Sequence, residues 1–140
     1  MTTVMPTPLP TPQELKKIAK SRLQESEILF SNRKYDAAVY LCGYAIELAL
    51  KARICKTLKW TEFPNASVKN PQTFKTHHLI TLLALSGIGD KVKSTCLAEW
   101  TVVTQGINWD PELRYQKIGS YTRIDAANML SAVKTLLKIL

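Results

Sequence analysis

No stretch of this chain stays apolar for the 18 or more residues that a membrane span demands, so a soluble, non-membrane protein is expected. Carboxylates are scarce: 11 Asp and Glu stand against 19 Lys and Arg, a net charge of +8 in 140 residues. That balance points to an acidic partner such as nucleic acid, a nucleotide or an acidic protein, although a basic, well-solvated surface meets the same count. Glycine is also rare, with five residues and no Gly-rich phosphate loop; HExxH, nucleophile-elbow and EF-hand patterns are missing too. The three cysteines, Cys42, Cys55 and Cys96, show no CxxC spacing and sit in helix-like apolar contexts. They read as reduced core thiols, which excludes a disulfide framework and suits a cytoplasmic protein. The only histidines, His77 and His78, are adjacent and diverge by about 100° on a helix, so they do not converge on one metal ion. Neither metal nor cofactor is expected. Met1–Pro10 has no basic segment followed by an apolar core, hence no secretory signal.

What is present is helical period. Pro6, Pro8, Pro10 and Pro12 alternate with small or apolar residues, which favours an extended tail over residues 1–10, and one folded domain is expected over 11–140. Thr11-Pro12-Gln13-Glu14 has the pattern of a capping box with proline at the first helical position. Leu15, Ile18, Ala19, Leu23, Ser26 and Phe30 then keep helical spacing, and the short Ser31-Asn32-Arg33 turn predicts an antiparallel second helix. Trp60–Thr73 has no sustained period and reads as a long loop. A third helix is predicted from a Thr76 cap through Ser86, stopped by Gly87. A fourth should run from an Asp90 cap to about Gln105, burying Val92, Cys96, Trp100 and Val103. Thr122 or Ser120 opens the last helix, with Ala126, Leu130, Val133, Leu137 and Leu140 as its apolar stripe. No strand-like alternation competes, so the expected fold is all-α, an antiparallel up-and-down bundle of about five helices.

The second helix, Lys34–Leu58, is the most informative segment. Ala38, Cys42, Ala45, Ala49 and Ala52 form a row of small residues that lets another helix approach. Asp36, Tyr40, Tyr44, Glu47 and Lys51 form one narrow polar stripe, the last four within roughly 60° of one another. A helix apolar on three sides belongs inside a bundle, and its stripe must meet water, a ligand or a partner. Because this helix offers more apolar faces than a small bundle readily covers, self-association is also expected. Plain packing competes with both readings: Glu47 and Lys51 stand four apart in the favourable order for an intrahelical ion pair. Arg53, Lys56, Lys59, Lys69 and Lys75 mark a further basic region, for which the C-terminal dipole of the helix accounts in part.

Lys34-Tyr35-Asp36-Ala37-Ala38-Val39-Tyr40-Leu41-Cys42-Gly43-Tyr44-Ala45-Ile46-Glu47-Leu48-Ala49-Leu50-Lys51-Ala52 resembles the second-helix signature of HEPN domains. Thr76-His77-His78-Leu79 with Leu82 and Gly87 is similar to the next helix of that family, and Trp109–Tyr115 with Ala126 and Ala127 resembles its arginine-bearing segment. The resemblance implies a helical bundle that commonly forms homodimers and is often encoded beside a minimal nucleotidyltransferase, with many members acting as metal-independent endoribonucleases in toxin–antitoxin or defence systems. In active members an Arg-x4–6-His motif holds a phosphate and handles the proton of the attacking 2′-hydroxyl. Here Arg114 has no histidine after it, and Tyr121 stands at the far end of that spacing. A phenol titrating near pH 10, against about 6.5 for imidazole, is a poor general base at neutral pH.

The expectation is therefore a non-catalytic or weakly active module. In it Arg114, Tyr115 and Tyr121 close over Tyr40, Tyr44, Glu47 and Lys51 to bind a nucleotide or RNA phosphate, or a nucleotidyltransferase partner. The alternatives are a metal-independent endoribonuclease in which Tyr121 stands in for the histidine, or one of the two histidines does, and a structural dimerisation module.

Overall fold

The structure is a computed structural model that describes residues 8–140. Of the expected tail, residues 1–7 lie outside the described residues, whereas the Pro10 carbonyl accepts a hydrogen bond from the Phe63 N–H at 2.9 Å. Six helices follow: α1 Pro12–Ser31, α2 Tyr35–Leu58, α3 Leu79–Ser86, α4 Gly89–Thr95, α5 Leu97–Thr101 and α6 Arg123–Ile139. No strand occurs among the described residues, and none of their helices is long and apolar enough to cross a membrane. The all-α bundle is as expected, with six helices where about five were anticipated.

Helix α2 is the axis, with α1, α6 and α3 packed around it. Its small-residue row is fully interior, from Ala38 and Cys42 through Ala45 and Ala49 to Ala52. Ile46, Leu50 and Ile54 of α2 join Leu82 of α3, Val92 of α4, Val103, and Met129, Val133 and Leu136 of α6 in the same core. The expected surplus of apolar faces on α2 is thus covered within the chain. Self-association does not follow from that helix.

Local signals explain most boundaries. Thr11 Oγ1 accepts from the Glu14 N–H at 3.1 Å, but its hydroxyl also lies 3.1 Å from Glu14 Oε1, so the carboxylate meets the cap's side chain rather than closing a box on its backbone. Thr122 and Asp125 do form a reciprocal box at the start of α6. Gly87 ends α3 with φ of 77°, a conformation that glycine adopts without a Cβ penalty.

Two boundaries differ from expectation. Thr76 does not cap α3; its Oγ1 accepts from the His78 N–H at 3.1 Å in a turn that precedes the helix, which starts three residues later at Leu79. Asp90 lies inside α4 rather than at its cap, and the predicted fourth helix is broken at Cys96, whose φ is −137°. It resumes as α5 and then loosens into a π-helical turn at Val102–Gly106. Val92, Cys96, Trp100 and Val103 are nevertheless all buried: the break re-aims the backbone while keeping the apolar side chains on the core.

Candidate functional site

Past the π turn the chain must cross α2 to reach α6, and a glycine decides where. Trp109 lies flat on α2 at Gly43, so close that a Cβ there would stand 1.9 Å from the indole Nε1. A mid-helix glycine costs roughly 1 kcal/mol against alanine; here it makes room for a buried indole that donates to the Tyr40 carbonyl at 3.0 Å. Asp110 then caps a 3-10 turn, Pro111–Tyr115, by accepting from the Glu112 N–H at 2.8 Å. This turn carries Arg114, held through its Nη1 donating to the Pro111 carbonyl at 3.3 Å.

The following loop is fixed from α2 as well. The Asp36 carboxylate accepts from the Gly119 N–H at 2.7 Å and from the Tyr121 N–H at 3.0 Å. Asp36 is 83 and 85 residues from Gly119 and Tyr121, yet the three form one unit at the N-terminal end of α2.

Arg114 therefore projects between two clefts. One, of about 220 Å³, is lined by Asp36, Tyr40, Arg114, Lys117 and Tyr121 among others. The other, of about 390 Å³, is lined by Tyr44, His77, His78, Asp110, Glu112 and Arg114 among others. The phenols of Tyr115 and then Tyr40 favour the charged guanidinium and raise its already high pKa further. Tyr40 and Tyr44 place their hydroxyls 3.3 Å apart, and Tyr44 packs edge-on against Trp109 at 5.0 Å. Burial, followed by the bond to Tyr40, pushes the Tyr44 phenol up to about 12. Burial and the neighbouring Asp36 and Asp125 also raise the Tyr121 phenol. Both tyrosines are thus neutral at physiological pH, suited to donating a hydrogen bond and not to taking a proton.

The structure brings Arg114 together with Tyr40 and Tyr121 on one side and Tyr44 on the other. It does not bring all the anticipated residues into one pocket. Tyr115 is 73% exposed and stacks on Arg114 at 4.7 Å instead of closing over the stripe. Glu47 and Lys51 line neither cleft; Glu47 is 3% exposed and Lys51 Nζ is held 3.2 Å from its Oε2, with the ammonium also over the Phe63 ring at 5.5 Å. An ammonium so engaged is not free for phosphate. Of the expected basic region, Arg53 and Lys56 line a separate hollow, without Lys59, Lys69 or Lys75.

The contact that sequence reading missed is on the other oxygen of Glu47: His77 Nδ1 lies 2.8 Å from Oε1. A carboxylate only accepts, so Nδ1 carries the proton and donates. His77 also lines the larger cleft, and its Nε2 has no hydrogen-bond partner among the described residues. His78 is turned instead to Thr81 Oγ1 at 2.8 Å. No group of three or more His, Cys, Asp or Glu that would hold a metal occurs among the described residues.

Fold and site together define an all-helical domain in which the polar stripe of a central helix is met by an arginine-bearing turn. The family model described as HEPN domain matches residues 12–64, the α1–α2 hairpin and the start of the loop after it, and over that stretch the chain is similar to HEPN domains. No curated protein and no solved structure matches the chain.

Proposed function

We propose that this domain, HEPN-like over its first two helices, binds a phosphate group of RNA or of a nucleotide through Arg114. The observation that carries the proposal is the placement of this guanidinium between two clefts, with the phenols of Tyr40 and Tyr121 on one side and Tyr44 and His77 on the other. The arginine supplies charge and a forked donor set, and the neutral phenols supply further donors. Arg114→Ala should weaken binding of a short single-stranded RNA by ~10-fold or more, and Tyr121→Phe by less, since one neutral hydrogen bond contributes ~1 kcal/mol. Unchanged affinity in both variants would reject the site. Salt should also weaken binding steeply if phosphate contacts dominate.

A second reading, metal-independent cleavage of RNA, is favoured by the His77–Glu47 contact. Tyr121, with its raised pKa, is poorly suited to the role of base; His77 Nε2 is better suited, oriented as it is by a buried carboxylate. In that reading His77 accepts the 2′-hydroxyl proton as the oxygen attacks phosphorus and the 5′ oxygen departs, while Arg114 neutralises the phosphate. Incubation of RNA with the protein in the presence of a chelator separates the two readings.

The homodimer, the nucleotidyltransferase partner, the toxin–antitoxin or defence role and the cytoplasmic location belong to the same proposal. Support for self-association comes from exposed apolar side chains on the arginine-bearing turn, the loop after it and the start of α6: Tyr115, Ile118 and Ile124 are exposed, Ile118 to 99%. Light scattering should then return about twice the 15.8 kDa of one chain, falling back toward one chain in Ile118→Asp.

A further inference from the structure

A hollow larger than either cleft around Arg114 lies elsewhere, between α1, α2, α4 and the last turn of α6. It has a volume of about 500 Å³ and shares no residue with the two clefts around Arg114. Ala19 and Ala49 make its floor and Leu137, Ile139 and Leu140 one wall, while Lys16, Lys20, Arg53, Lys56, Lys91 and Lys138 surround it. No Asp or Glu lines it. None of the six cations forms an ion pair among the described residues, although Arg22, Lys51, Arg114 and Lys134 each find a carboxylate. Arg53 Nε is in addition buried without a hydrogen-bond partner.

Ordinary surface electrostatics does not account for this arrangement. The dipoles of α2 and α6 favour Lys56 and Lys138 in their last turns, but Lys91 lies in the first turn of α4, where a cation opposes the dipole. Lys16 and Lys20 also repel each other at i, i+4. Four separate elements thus bring six cations without an ion pair to one concavity, and small residues at its floor keep it open. A volume of this size is that of a small-molecule site.

We propose that this hollow binds a compact anion bearing contiguous phosphates, a nucleoside triphosphate or an inorganic polyphosphate, and that it does so independently of the Arg114 site. Arg53, which lines the hollow from α2, supplies a forked guanidinium donor, and the lysines neutralise the outer phosphates as point charges. A single phosphate leaves most of the six charges uncompensated, so affinity should climb with the number of phosphates.

Calorimetric titration of the full chain with inorganic tripolyphosphate, ATP and AMP tests this, with circular dichroism confirming that each variant folds. Tripolyphosphate and ATP should bind saturably, with AMP weaker by ~10-fold or more. Equal affinity for the first two means that phosphates alone are read, and tighter ATP means that the nucleoside is read as well; both support the site. Lys20→Glu combined with Lys91→Glu, both on exposed side chains, should reduce affinity for tripolyphosphate by ~10-fold or more, while Arg114→Ala leaves it unchanged. Absence of saturable binding, unchanged affinity in the double variant, loss in Arg114→Ala instead, or binding of long RNA that tripolyphosphate fails to displace from this face would each overturn the proposal.

Discussion

Glu47 and His77, on α2 and on the turn before α3, meet at 2.8 Å while Lys51 holds the other carboxylate oxygen at 3.2 Å. Both oxygens of a nearly inaccessible carboxylate are thereby satisfied. Glu47→Ala should destabilise the fold by ~3–5 kcal/mol, because it leaves the mostly buried Lys51 ammonium without its partner. His77→Ala, at an exposed ring, should cost ~1 kcal/mol or less. Urea denaturation of the two variants checks the order, and a small effect of Glu47→Ala would mean that the pair is solvated rather than structural.

If RNA is cleaved, the same pair predicts a graded loss. His77→Ala should lower the chelator-resistant rate by ~10²–10⁴-fold, the range for removal of a general base. Glu47→Gln, which orients the ring less well, should lower it by ~10–100-fold, by analogy with second-layer partners of functional histidines. Full activity in His77→Ala would assign the proton transfer to another group.

Gly43→Ala should be destabilising despite the better helix propensity of alanine. Propensity favours the change by ~1 kcal/mol, but the added methyl would overlap the Trp109 ring, and overpacking of a core typically costs ~1–3 kcal/mol. Displacement of the indole should also shift its fluorescence to the red and weaken whatever Arg114 binds. Trp109→Phe identifies the emission. A variant as stable as the parent, with unaltered spectra, would show that the ring has room to move.

Alkaline titration offers another test. The Tyr44 phenol is raised from the ordinary 10 to about 12. Below pH 10 it is neutral whether the chain is folded or not, and its environment contributes in full. Between about 10 and 12 the unfolded chain ionises while the folded one retains its proton, so stability falls as pH rises through that window. Tyr44→Phe should flatten this part of the stability profile, which denaturation midpoints measured across the range would reveal; an unchanged slope would count against the burial.

Cys42, Cys55 and Cys96 are all buried, and burial raises the Cys42 thiol well above its ordinary range and the Cys55 thiol to about 11. A thiol reagent should therefore label the native protein slowly and the denatured protein at three sites, since the thiolate is the reacting species. Rapid labelling of Cys42 without denaturant would contradict its place in the core.

Helical period made α1, α2 and α6 legible in the sequence, because long amphipathic or apolar segments carry their own register. The segment from Asp90 to Gln105 also showed the right apolar face, but the break at Cys96 left no mark: no glycine or proline announces it, and the turn answers to packing. The site was legible in part. Arg114, Tyr40 and Tyr121 were expected together and share a cleft, but a stripe on a helix does not say which of its members lie at the mouth and which lie beneath. Glu47 and Lys51 lie beneath, at the His77 end. His77 gave no periodic signal, since it belongs to a turn rather than to α3. Gly43 was the clue available, since an otherwise apolar helix keeps a glycine at its midpoint where something must come close.

The two hydrogen bonds that Asp36 accepts make the far loop a passenger of the central rod. Asp36 ties residues 119 and 121 to the entry of α2, and Trp109 ties the arginine-bearing turn to the same helix one turn further on. A phosphate bound there, as proposed, would touch walls fixed to one and the same helix.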